Sequence, residues 1–81
     1  MYNTYIIQSL KNKKYYIGHC ENLEDRLKRH NTGKVKSTKY GKPWTLIYIE
    51  EFKTRGEAYR RELQIKSYKG GMAFKNLINK N

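Results

Sequence analysis

Cysteine, proline and acidic residues are scarce: one Cys, one Pro and seven Asp or Glu in 81 residues. Cys20 alone cannot form an internal disulfide, which predicts a reducing, cytoplasmic setting. Structural zinc takes about four ligands, typically with paired cysteines, and Cys20, His19 and His30 do not supply them. No apolar run approaches the roughly 20 residues of a membrane span. Met1 leads directly into a strand-like segment, so no leader is expected. There is no phosphate-binding glycine loop and no nucleophile elbow. The length predicts a single domain, 1–81. So short a domain buries only about 60% of its unfolded surface, so nearly every apolar side chain is needed in the core. The candidates are Ile6, Ile7, Ile17, Leu23, Leu27, Trp44, Leu46, Ile47, Ile49, Leu63, Ile65, Leu77 and Ile78.

Positive charge is abundant. Eighteen Lys and Arg against seven acids give a net charge of +11. That field favours a polyanion: nucleic acid first, an anionic membrane surface second. The second lacks the basic amphipathic helix with a broad apolar face that it requires. Lys34, Lys36, Lys39 and Lys42 fall in one polar segment, with Lys11, Lys13 and Lys14 in another. Both suit contacts to a nucleic-acid backbone. About five neutralised phosphates would give a log–log salt slope near −4 to −5. No recognition helix for the major groove is apparent, which predicts little sequence readout.

The periodicities give an order β-β-α-β-α-α. Asn3 to Gln8 and Tyr15 to His19 are rich in β-branched and aromatic residues and predict a hairpin. Asn22 offers an N-cap, with Glu24 and Asp25 in the first turn and Leu23 and Leu27 one turn apart, for a helix ending near Asn31. Gly33 to Pro43 is expected to be a polar, mobile loop. Trp44 to Glu50 is the strongest strand signal and is expected at the centre of the sheet. Thr54 and Glu57 form a capping box opening a helix to about Ser67. Gly70-Gly71 precedes a short helix from Ala73 to Asn79. The fold class is α+β: a small, mainly antiparallel three-stranded sheet flanked by helices.

Glu62 is the acidic residue left over when the others are assigned to helix starts and strand ends. On a helical wheel it falls among Ala58, Tyr59, Leu63 and Ile65, where a carboxylate is costly unless paired or bound to a cation. Pairing with Lys66, four residues on, is the bland alternative. Arg26 and His30 share one face of their helix, and their stems could simply cover the rim of the core. The alternation in YYIGHC, Tyr15–Cys20, puts Tyr15 and Tyr16 on opposite faces of the sheet. Gly18 within a strand marks close approach of a backbone or ligand. His19 is either a strand end or a phosphate contact.

Together these residues resemble the GIY-YIG nucleases. Asn3-Thr4-Tyr5 stands at the first triplet with only the tyrosine matching, and Tyr16-Ile17-Gly18 is the second triplet intact. Asn22 to Lys34 is similar to the family's helix, placing its arginine at Arg26 and its frequent histidine at His30. Glu57 to Glu62 is similar to the stretch ending in the metal-binding glutamate. The resemblance covers essentially the whole chain and points to small stand-alone members related to the nuclease domain of bacterial excision repair. It implies one Mg²⁺ or Mn²⁺ held through Glu62, Arg26 on the phosphate, and Tyr16 orienting or deprotonating a water. It also implies Tyr5 in support and His30 on the proton path or the phosphate. Asn76 is the candidate for an asparagine found in some members. The implied partner is DNA, with RNA, a homodimer or a partner protein remaining open and a membrane excluded. A non-catalytic nucleic-acid-binding module of the same fold is the competing reading.

Overall fold

The computed structural model describes residues 1–79. The elements are β1 (Tyr2–Ser9), β2 (Tyr15–Cys20), α1 (Leu23–Asn31), a 3-10 turn (Lys36–Gly41), β3 (Trp44–Phe52), α2 (Arg55–Ser67) and α3 (Met72–Ile78). The order β-β-α-β-α-α and the α+β class are those the sequence predicts. The helix starts follow their caps. The Asn22 side chain accepts from the Asp25 N–H, and Thr54 and Glu57 form the full reciprocal box.

All strand pairs are antiparallel and the sheet order is β2-β1-β3. The central strand is therefore β1, not β3 as its residue composition led us to expect. Thr4, Tyr5, Ile6 and Ile7 show no exposed surface, because β1 is covered on both faces. Tyr5, Ile7, Cys20 and Trp44 pack under Leu23 and Leu27 of α1. Ile6 packs on the opposite face with Ile65 of α2 and with Phe74 and Leu77 of α3. On β3, an edge strand, Leu46 and Ile49 lie opposite Ile7 and Tyr5, yet 36% and 45% of their surfaces stay exposed. These two are not core residues, and neither is Leu63, which is 46% exposed on the outer side of α2.

The segment read as a mobile loop carries the 3-10 turn and is tied at several points. Thr38 and Gly41 are buried. The Ser9 hydroxyl donates to the Gly41 carbonyl, and the Trp44 indole N–H donates to the Thr38 carbonyl at 2.9 Å. Asn31 Oδ1 accepts from the Trp44 backbone N–H, while its Nδ2 donates to the Trp44 carbonyl. The bonds from Ser9 of β1 and Asn31 of α1 come from other elements, which a local pattern of polar residues does not reveal.

Candidate active site

The site straddles β2, which forms one edge of the sheet. On the α1 side, strand alternation and the register Ile7↔Tyr16 and Tyr5↔Gly18 place both tyrosines on one face. Their ring centroids are 6.4 Å apart, and His30 lies 4.9 Å from the Tyr16 ring and 5.9 Å from the Tyr5 ring. Because Asn22 fixes the start of α1, Arg26 and His30 come round toward this face one turn apart.

A buried relay runs through the cluster. Tyr5 Oη is 2.9 Å from His30 Nε2, and His30 Nδ1 is 2.7 Å from Thr38 Oγ1. The Thr38 hydroxyl donates to the Val35 carbonyl. With its one proton so placed, Thr38 accepts from His30 Nδ1–H, and His30 Nε2 accepts from the Tyr5 hydroxyl. Burial pushes His30 down to about 4, and the Arg26 guanidinium adds to that shift. Burial also raises Tyr5 well above the ordinary phenol range; Tyr16 and Cys20 add to the rise and Arg26 opposes it. Tyr5 is therefore a protonated donor and His30 a neutral acceptor at pH 7. His30 has no exposed surface. It is not the rim residue that its wheel position allowed.

Gly18 makes room for Tyr5 and not for a ligand. A Cβ there would lie 2.6 Å from Tyr5 Oη, 2.8 Å from its Cζ and 3.2 Å from Tyr16 Cε2. The close approach expected of this glycine is thus taken up by the chain's own phenol.

On the α2 side stands Glu62, with 10% of its side chain exposed. Oε1 lies 2.5 Å from His19 Nδ1, and Oε2 accepts from Lys66 Nζ at 2.6 Å. The carboxylate raises the proton affinity of Lys66, with smaller contributions from Tyr16 and Tyr59. Among the described residues, no hydrogen bond or ion pair joins Glu62 to Tyr5, Tyr16, Arg26 or His30. His19 is not a bare strand end. Alternation puts it on the face opposite Tyr16, where it meets Glu62 and the Tyr59 ring, at a centroid distance of 5.2 Å. That contact was readable from alternation once α2 was assigned to that face. Thr38 carried no comparable signal.

No group of three or more His, Cys, Asp or Glu able to hold a metal occurs among the described residues. Magnesium commonly binds through one or two carboxylates, retained waters and substrate phosphates, without an all-protein cage. Glu62, a nearly buried all-oxygen donor, fits that sparse mode, although both of its oxygens are already engaged. Lys34, Lys36, Lys39 and Lys42 are exposed around the 3-10 turn, with Lys39 Nζ 5.6 Å from the Tyr40 ring centroid. Asn76 is exposed on α3. No described helix is long and apolar enough to cross a membrane.

The profile of the GIY-YIG catalytic domain matches residues 1–75. A UPF0213 protein of Staphylococcus haemolyticus is 42% identical over 65 residues, covering 79% of this chain and 78% of the relative. A UPF0213 protein of Staphylococcus saprophyticus is 38% identical over the same coverage. The solution NMR structure of a UPF0213 protein from Bacillus halodurans aligns over 90% of both chains, with 28% identity and a TM-score of 0.47. With the second triplet intact at Tyr16-Ile17-Gly18 and the domain match spanning nearly the full length, the chain belongs to the GIY-YIG family, as a small member similar to the UPF0213 proteins.

Proposed function

We propose that the chain is a divalent-metal-dependent endonuclease that hydrolyses phosphodiester bonds in DNA. One observation carries this reading: a nearly buried carboxylate, Glu62, is held against His19 on β2, the same strand that carries Tyr16 and the intact second triplet. A buried carboxylate in a chain of charge +11 marks a site that favours a cation beside a polyanion.

The residues divide the work by environment. Arg26 is the phosphate anchor, its fork suited to two oxygens. Tyr16, half-buried beside His30, is the group that positions the attacking water or takes its proton. Tyr5 and His30 are positioning residues: one keeps its proton, the other stays neutral, and neither opens to a phosphate. This reading differs from the proton-path or phosphate role that the family resemblance implies for His30. His19 orients the Glu62 carboxylate. A bound Mg²⁺ or Mn²⁺ would supply charge stabilisation at the phosphate, held through Glu62. The exposed lysines 34, 36, 39 and 42 provide backbone contacts, giving structure-led binding with little sequence specificity. Such an enzyme would serve DNA repair or recombination and associate with the nucleoid through DNA. With so little surface for discrimination, it would act with a partner protein or as a homodimer.

The test is incubation with nicked, flapped, branched and plain DNA, and with RNA, in Mg²⁺, Mn²⁺ or EDTA. Metal-dependent nicking of DNA is expected. A second reading has its own support: with Glu62 already neutralised by Lys66, the same fold could act as a non-catalytic nucleic-acid-binding module. Tight binding without cleavage of any substrate in either metal would establish that second reading.

A further inference from the structure

Lys66 is the residue that the proposed chemistry leaves unexplained. It is half-exposed, with 48% of its side chain open to solvent, yet its ammonium hydrogen-bonds at 2.6 Å to a carboxylate that is 10% exposed. Position alone makes it an ordinary i,i+4 pair on α2, in the favourable orientation with Glu first. Two features set it apart. The other oxygen of the same carboxylate lies 2.5 Å from His19 Nδ1, so Glu62 is coordinated on both sides. And Lys66 is the only charged partner of Glu62 among the described residues whose flexible four-carbon stem lets it leave for solvent without disturbing the sheet.

We propose that Lys66 is a displaceable resident counter-ion: it occupies Glu62 Oε2 in the free protein, and a divalent cation gains the carboxylate by exchanging with it. The proposal rests on the reading of Glu62 as the cation ligand and deepens it. A carboxylate buried this far would be costly without a partner. A divalent cation that binds the free protein only weakly does little to stabilise the free fold. Lys66 resolves that conflict. It neutralises Glu62 while the site is empty and, being a point charge with no coordination geometry to satisfy, gives way to an ion that binds oxygen more strongly. His19 stays in place and keeps Oε1 oriented. The exchange makes the free protein a weak binder of divalent cations by construction.

The test uses Mn²⁺ alone, titrated into the full chain without DNA, with free Mn²⁺ followed by electron paramagnetic resonance. Lys66→Met keeps the stem and removes the charge. It should bind Mn²⁺ roughly ten- to a hundredfold more tightly than wild type, the net value of a hydrogen bond to a charged group. Lys66→Arg, which restores the charge, should return affinity toward the wild-type value. Lys75→Gln removes an exposed charge elsewhere and should leave Mn²⁺ affinity within about twofold, as expected for a screened surface charge. Glu62→Gln should abolish the site in the wild-type and Lys66→Met backgrounds alike. If Glu62→Gln abolishes binding but Lys66→Met binds no more tightly than wild type, the exchange is wrong while Glu62 remains the ligand. If Mn²⁺ binds equally with and without Glu62, or fails to bind Lys66→Met at all, the cation reading of Glu62 falls and this inference falls with it.

Discussion

Gly18→Ala should unfold the site from within. The new Cβ would lie 2.6 Å from Tyr5 Oη and 2.8 Å from Cζ, inside a phenol that has no exposed surface and nowhere to retreat. Either β2 shifts or the Tyr5 ring turns away from His30 and breaks their 2.9 Å hydrogen bond. Overpacking of this kind costs about 1–3 kcal/mol. Orphaning a buried partner adds about 1–3 kcal/mol. Alanine's smaller unfolded-state entropy returns about 0.4–1 kcal/mol. The net is a loss of roughly 3 kcal/mol, a large fraction of the ~5–15 kcal/mol that holds a domain together. Urea denaturation reads it directly. With a slope of about 1 kcal/mol/M for so small a chain, the midpoint should fall by about 3 M. Tyr5→Phe supplies the internal control. In wild type it leaves His30 Nε2 unpaired and destabilises; in Gly18→Ala it removes the nearest clashing atom. The two changes should therefore couple by at least about 1 kcal/mol, well beyond the ~0.5 kcal/mol scatter of independent sites. A Gly18→Ala protein within about 0.5 kcal/mol of wild type, or strict additivity with Tyr5→Phe, would refute the packing argument.

The remaining predictions concern charge. His30 is held near 4 by burial, below its unfolded value of about 6.5. Its stabilising contribution is thus complete above about pH 6.5 and is lost as the pH falls toward 4, amounting to about 3 kcal/mol at most. Imidazole resonances followed by NMR should show His30 neutral down to about pH 4 to 5; a midpoint near 6.5 would contradict its burial. DNA affinity should fall with salt at a log–log slope of about −4 to −5. Replacing Lys34, Lys36, Lys39 and Lys42 with Gln should flatten that slope by roughly 3 to 4 units, and an unchanged slope would remove those lysines from the interface.

The elements were legible because their signals are local. Asn22, the Thr54–Glu57 box and Gly70-Gly71 marked the helix boundaries through hydrogen bonds spanning only a few residues. The order of the strands was not legible. β3 has the richest strand composition, but the centre of the sheet went to β1, whose small polar residues are satisfied at a distance: Thr4 donates to the Ala58 carbonyl across to α2. The departures from the family at Asn3 and Thr4 are thereby explained as buried polar residues with partners, since the Asn3 amide also reaches the Glu21 carbonyl. The placement of Glu62 among apolar wheel neighbours was legible, although its buried companions are Ala58 and Ile65 rather than Tyr59 and Leu63. The Tyr5–His30–Thr38 relay was not, because Thr38 comes from a segment whose local pattern is only polar.

The proposed chemistry turns on Glu62. Cleavage of a branched or nicked DNA by wild type and by Glu62→Gln, measured in Mn²⁺ beside the DNA affinity of each protein in EDTA, tests it most directly. The expected result is loss of at least about a hundredfold in cleavage rate, the scale of one electrostatic group at the reacting centre, with DNA affinity within about threefold because the binding charges are elsewhere. Cleavage that persists in Glu62→Gln would show that the chemistry does not pass through this carboxylate.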